Sequence, residues 1–350
     1  GSHRGVQVLD ALAGLGVVVL AGLIARELFP RSRGVQVGAL AVAALTPVLT
    51  RTSVMYHPEP LATFLAVGGL YVVVRGLARD RLGPWTGGAA GLLFGLATLT
   101  RTWALALAGA SILALVWRGR LGGGRAPGWT ALSLLAVTLA LSLPWFVNQA
   151  VNHGSPFAFN RPAPKQSFFS RRPAWFYTSL DVGTVFTHPY ATNYLNHLWP
   201  VMYSDWWGDY WRYFDIPYEN ISTPPLLPRR YEHPRVLQSY VGLLPSLLAV
   251  AGLVGLAFTG IRRRAPVLVV VAGSVVLLGL QFLVFQIAYP HPDGDTIKAT
   301  YLLNAVAPLA VCASWAMSFV LRAGRLVMIS IVLLLAYLAV LDVSFLVLPG

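Results

Sequence analysis

Residues 266–288 read PVLVVVAGSVVLLGLQFLVFQIA, a run without a single charged side chain. Wound as a helix at about 1.5 Å per residue, such a run is long enough for the ~30 Å hydrocarbon layer of a bilayer. Comparable apolar runs occur at 6–25, 129–147, 241–260 and 326–348. Of the 350 residues, 56% are hydrophobic and 11% are charged, where a soluble domain carries about 25% charge. These numbers exclude a soluble globular domain and set the class as a helical membrane protein. The single cysteine, Cys312, sits inside an apolar stretch and reads as a small buried hydrophobe.

Working outward from these runs, the arginines set the topology. Short arginine-rich loops lie at Arg26–Arg33, Arg75–Arg81, Arg118–Arg125, Arg262–Arg264 and Arg322–Arg325, and they hold more than half of the 26 basic residues. Positive charge collects in cytoplasmic loops, which accounts for the net charge of +13 without a nucleic-acid partner. Residues 34–74 then join two cytoplasmic loops and must cross twice, with an outer turn between Arg51 and Pro60. Residues 85–117 must do the same, and their only polar break is Thr98-Leu99-Thr100-Arg101-Thr102.

The expectation is an all-α polytopic membrane protein with about ten transmembrane helices and both ends outside. About six helices fall within residues 1–150, a large extracytoplasmic loop spans 151–239, and about four helices fall within 240–350. Gly1-Ser2-His3 reads as a remnant of tag cleavage and is set aside. On this topology every other histidine and most carboxylates face outward, and so does any chemistry.

Four outward segments stand out. Tyr56-His57-Pro58-Glu59-Pro60 places an acid, stiffened by two prolines, at the mouth of a helix. It reads either as a helix-dipole partner or as a weak metal ligand. Arg101 lies between apolar helices, where an arginine costs about 2.5–3.5 kcal/mol on insertion scales; it either snorkels to the interface or meets an anion. In His291-Pro292-Asp293-Gly294-Asp295-Thr296-Ile297-Lys298 the lysine is one of only two in the chain. Its acids read as a solvated turn or as oxygen ligands for a divalent cation such as Mg or Mn. Asp205-Trp206-Trp207-Gly208-Asp209-Tyr210 combines acids with aromatic faces. It suits either a sugar, packed on Trp206, Trp207 and Tyr210 with Asp295 nearby, or an interfacial aromatic belt. The sequence shows no Gly-rich phosphate loop, no Cys/His metal spacing and no Gly-x-Ser-x-Gly turn.

In order and placement these segments resemble the GT-C glycosyltransferases, in particular bacterial relatives of dolichyl-phosphate-mannose protein mannosyltransferases and aminoarabinose transferases. The matching stretches begin with Leu45-Thr46-Pro47 and His57-Pro58-Glu59-Pro60-Leu61-Ala62-Thr63-Phe64. They continue through Gly91–Arg101, Leu143-Pro144-Trp145-Phe146-Val147-Asn148-Gln149 and Lys298–Pro308. The resemblance implies a cell-envelope hexosyltransferase, inverting, in the cell membrane. It would use a polyprenyl-phosphate sugar donor and a glycan, lipid or protein acceptor on the extracytoplasmic face. It implies donor-phosphate contacts from Arg101 and Lys298, to which His57 is added, and a metal or phosphate role for Glu59.

The sequence departs from that family in two places. No acid precedes Asp10, whereas the family carries its general base in a first outer loop. The expectation is that the base lies upstream of this chain, or that Asp205, Asp209 or Asp295 substitutes. Trp206-Trp207-Gly208-Asp209-Tyr210 is similar to the oligosaccharyltransferase Trp-Trp-Asp-Tyr-Gly signature but orders Gly, Asp and Tyr differently, so that role is not transferred. A transporter or flippase is the competing reading, though no internal repeat is evident; a catalytically inactive scaffold is a third.

Overall fold

The computed structural model describes residues 2–122, 124–157, 173–187, 197–207, 232–288, 297–321 and 324–346. The described residues form helices joined by short turns and loops, with no strand among them. The helices in chain order are α1 (Ser2–Leu28), α2 (Arg33–Ala44), α3 (Pro47–Ser53), α4 (Glu59–Ala78), α5 (Pro84–Thr100), α6 (Ala104–Arg120) and α7 (Ala126–His153). The short helices α8 (Ala174–Thr178), α9 (Val182–Thr187) and α10 (Leu198–Trp207) follow. The remainder comprises α11 (Glu232–Arg262), α12 (Pro266–Ala288), a 3₁₀ helix (Ala299–Ala305), α13 (Val306–Val320) and α14 (Arg325–Leu346).

Six of these are long and apolar enough to cross a membrane: α1, α4, α7, α11, α12 and the 3₁₀ helix with α13. The pair α2 and α3, bent by 58° at its break, makes a seventh. The ten crossings expected from the arginine loops are reached only by adding the 17-residue α5 and α6 and α14, whose described apolar part is Ile329–Leu341. This is a multi-pass membrane protein. Its helices bury one side and leave another apolar. In α1 the buried residues Asp10, Ala13, Val17, Ala21 and Ile24 recur every three or four positions, while Val8, Leu12, Leu15 and Val19 stay exposed. An apolar outer surface is what a hydrocarbon solvent requires.

Close helix crossings rest on glycine. A Cβ added to Gly87 or Gly91 of α5 would lie 2.2 or 2.6 Å from the carbonyl oxygens of Thr130 or Leu134 in α7. A Cβ on Gly252 of α11 would lie 1.9 Å from the carbonyl oxygen of Cys312 in α13. Membrane helices without a hydrophobic drive to associate depend on such close packing. Proline sets several helix starts: Pro47, Pro60, Pro84 and Pro127 lie in the first two positions of α3, α4, α5 and α7. There the missing N–H is not needed for an intrahelical bond. At the arginine-rich end, Arg79 donates from Nε and Nη2 to the two oxygens of Glu27, both at 2.8 Å. Arg118 reaches Asp80 at 3.2 Å. These two pairs join the α1, α4 and α6 ends.

Candidate active site

Opposite the arginine-rich loops, four chain segments meet at Glu59. This acid occupies the first position of α4, where a carboxylate is favoured by the unpaired N–H groups of the first turn. It is only 3% exposed. Such burial demands partners, since a lone buried carboxylate would give up its charge. Oε1 forms an ion pair with Arg101 Nε at 2.9 Å, and Oε2 lies against His57 Nδ1. The His57 backbone N–H donates to Asp10 Oδ2 at 3.2 Å. Asp10 lies in α1 and is 2% exposed. The result is a polar chain running from α1 through the 54–58 loop and α4 to Arg101.

Arg101 sits where α5 stops. Its N–H still bonds Ala97 O at 2.7 Å, but its own backbone is extended (φ −154°, ψ 128°) before α6 resumes at Ala104. Irregular backbone within an apolar bundle needs its polar groups satisfied. Gln281 of α12 does this by donating Nε2–H to Thr102 O at 3.0 Å. Trp103 then anchors the break. It stacks on Tyr301 with ring centroids 5.0 Å apart and meets Phe285 edge-on at 5.3 Å. The Arg101 side chain keeps 41% of its surface exposed while Glu59 engages its Nε. Its Nη amines can therefore still take an anion, in the fork geometry that suits phosphate.

Tyr301 belongs to the 3₁₀ helix that starts immediately after Lys298. Lys298 is extended (φ −137°, ψ 127°) and partly buried. The Trp103–Tyr301 stack thus ties the Lys298 segment to the Arg101 break. Ala299 N–H donates to Asp205 Oδ2 at 3.3 Å, so Asp205, 2% exposed, caps this segment from α10.

The second feature is a cavity of about 480 Å³ beside the 3₁₀ helix. Its wall includes Tyr203, Trp206 and Trp207 of α10, Val275 and Gly279 of α12, and Leu302 of the 3₁₀ helix. Several polar groups of the wall are engaged elsewhere. Tyr203 OH donates to Ser239 O at 2.6 Å, Trp207 Nε1–H to Ser246 Oγ at 2.8 Å and Thr46 Oγ1–H to Val42 O at 2.8 Å. Burial pushes the Tyr203 phenol well above its ordinary value, so it stays a neutral donor. What remains is an apolar, aromatic-walled chamber that shares α12 and the 3₁₀ helix with the Arg101 anchor.

Of the residues singled out in the sequence, Glu59, His57 and Arg101 come into direct contact. Lys298 joins them through Trp103 and Tyr301, and Asp205 reaches the Lys298 segment. Trp206 and Trp207 line the cavity. Asp209, Tyr210 and Asp295 lie outside the described residues. The Arg101 guanidinium already lies against Glu59 Oε1, and its charge opposes a divalent cation there. Among the described residues no cluster of three His, Cys, Asp or Glu can hold a metal ion. Sequence reasoning missed the Asp10 link and the cavity. The signal for Asp10 was present, because an acid inside an apolar span needs a partner. The cavity is formed by segments distant in sequence and has no local signature.

Residues 1–147 match the family model described as dolichyl-phosphate-mannose-protein mannosyltransferase. This stretch holds Asp10, His57, Glu59 and Arg101. No curated protein and no solved structure matches the chain. The match covers less than half of the 350 residues, so the likeness to that family is carried by the N-terminal part, and the apolar helices add a multi-pass membrane setting.

Proposed function

We propose that this chain transfers a hexose from a polyprenyl-phosphate donor to a glycan, lipid or protein acceptor on the extracytoplasmic face. The observation that carries the reading is the pairing of a half-exposed arginine, braced by a buried acid, with an apolar cavity attached to the same elements. A polyprenyl-phosphate sugar has the same two parts: a long hydrocarbon and an anionic head at membrane depth. The apolar wall suits the hydrocarbon, and Arg101 and Lys298 suit the phosphate.

In the reaction an acceptor hydroxyl attacks the anomeric carbon. The new C–O bond forms as the bond to the phosphate oxygen breaks, and that oxygen leaves with the electron pair. A carboxylate base takes the hydroxyl proton. One displacement inverts the anomeric centre. Arg101 and Lys298 stabilise the charge that grows on the leaving phosphate, the kind of interaction that accelerates rather than merely binds. Glu59 and His57 hold Arg101 in place so that it need not reorganise.

The test is turnover of a polyprenyl-phosphate sugar by the purified full-length protein and by Arg101→Ala and Lys298→Ala. Each variant is expected to lose about 10²–10³ in turnover, the usual effect of removing one charge-stabilising group. Turnover like the wild type in both variants overturns the site assignment. Donor that crosses a bilayer without covalent change overturns the enzyme reading in favour of a flippase.

A further inference from the structure

We infer that Asp205 is a positioning residue that fixes Lys298 by capping the 3₁₀ helix; the inference rests on the reading of Lys298 as a phosphate contact. Helix α10 presents two faces. Tyr203, Trp206 and Trp207 face the cavity, while Asp205 is buried and accepts the Ala299 N–H at 3.3 Å. The same helix is pinned to α11 by Tyr203 OH on Ser239 O and by Trp207 Nε1 on Ser246 Oγ. The Asp205 bond therefore transmits a fixed support to the segment that carries the lysine.

The first N–H groups of a 3₁₀ helix have no partner within it, and a buried unpaired donor is costly. A carboxylate satisfies such a donor with a charge-assisted bond and favours the positive end of the helix. Lys298 immediately precedes Ala299 in extended conformation. Leu302, which lines the cavity, lies about 6 Å beyond Ala299 at ~2 Å per residue. A cap at Ala299 thus sets both the position of the ammonium and its distance from the cavity wall. Without the cap the start of the helix is free to fray, and Lys298 moves relative to any phosphate held by Arg101.

The chain has two lysines, Lys165 and Lys298, so amine acylation followed by peptide mass spectrometry reads Lys298 directly, with Lys165 as internal reference. Two variants separate a cap from a base. Asp205→Asn keeps an oxygen to accept the Ala299 N–H, whereas Asp205→Leu keeps the bulk and removes it. Expected for Asn are a Lys298 acylation rate and a donor KM within about threefold of wild type. Expected for Leu are a shift of about tenfold in acylation and a rise of similar size in donor KM, the weight of one buried hydrogen bond, with a smaller change in kcat. An Asn variant that acylates normally but loses turnover about a hundredfold or more overturns the proposal, because Asp205 then works as a proton acceptor. A Leu variant unchanged in acylation and KM also overturns it. If the Leu variant does not fold, Asp205→Ala, which also removes the acceptor, takes its place on the same criteria. Failure of the wild type to transfer sugar refutes the functional reading, and the acylation rates still judge the cap.

Discussion

Changing Glu59 to glutamine removes the charge that holds Arg101 while keeping the side chain's shape and one acceptor oxygen. The contact is 2.9 Å, with the Glu59 side chain 4% and the Arg101 side chain 41% exposed. At an effective dielectric of about 20, two unit charges that close attract by about 6 kcal/mol. The desolvation of Glu59 and the solvent screening of Arg101 consume most of it, leaving a net coupling of about 1–2 kcal/mol. In donor kcat/KM, Glu59→Gln should therefore lose about tenfold, and Arg101→Ala about 10²–10³. If Glu59 acts through Arg101, the double variant loses no more than Arg101→Ala alone, and the cycle shows a coupling of about tenfold. His57 remains beside Glu59 in the Arg101→Ala protein, so the carboxylate is not left without a partner. The assay is release of polyprenyl phosphate from a labelled donor, measured as initial rates across donor concentrations. Losses that multiply to within about twofold would mean that Glu59 and Arg101 act independently, and would refute the bracing argument.

Other variants test other parts of the account. Gly252→Ala forces a Cβ to within 1.9 Å of the Cys312 carbonyl oxygen; thermal unfolding in detergent should show a loss of about 1–3 kcal/mol, and unchanged stability would place the α11–α13 crossing elsewhere. Gly279 lines the cavity and a Cβ there meets nothing within 4 Å, so Gly279→Leu should fold normally yet raise KM for long-chain donors more than for short-chain ones; equal effects on both would separate the cavity from the lipid. Asp10→Leu leaves the half-buried His57 N–H without this acceptor and should destabilise by about 1–3 kcal/mol, read as a lower unfolding temperature; a stability equal to wild type would show that the 54–58 loop is held by something else.

The membrane class was legible because hydrocarbon forces long apolar runs into the sequence, as at 266–288 and 241–260. The break at Arg101 was legible for the same reason: a cation between two apolar stretches is too costly to be incidental. Glu59 stood out through its two flanking prolines. The link from His57 to Asp10 did not, since the two are 47 residues apart and nothing local joins them. The bend between α2 and α3 was read only as part of a crossing, although Pro47 opens α3. The Trp-rich segment left two readings open, because aromatic composition does not say which way an indole N–H points. Contact with Ser246 and the apolar cavity supplies that direction. The role of Asp205 was hidden for a similar reason: a carboxylate that caps a backbone 94 residues away looks, in sequence, the same as one poised for chemistry.

The central claim is that the chain breaks the bond between a polyprenyl phosphate and its sugar. The most direct measurement follows a donor labelled in both lipid and sugar, in proteoliposomes holding the full-length protein and a mixture of candidate acceptors. The account predicts that polyprenyl phosphate and glycosylated acceptor appear in equal amounts, with the anomeric configuration inverted and with release cut about 10²–10³-fold by Arg101→Ala. Donor recovered intact on the opposite leaflet, with no free polyprenyl phosphate, would contradict it.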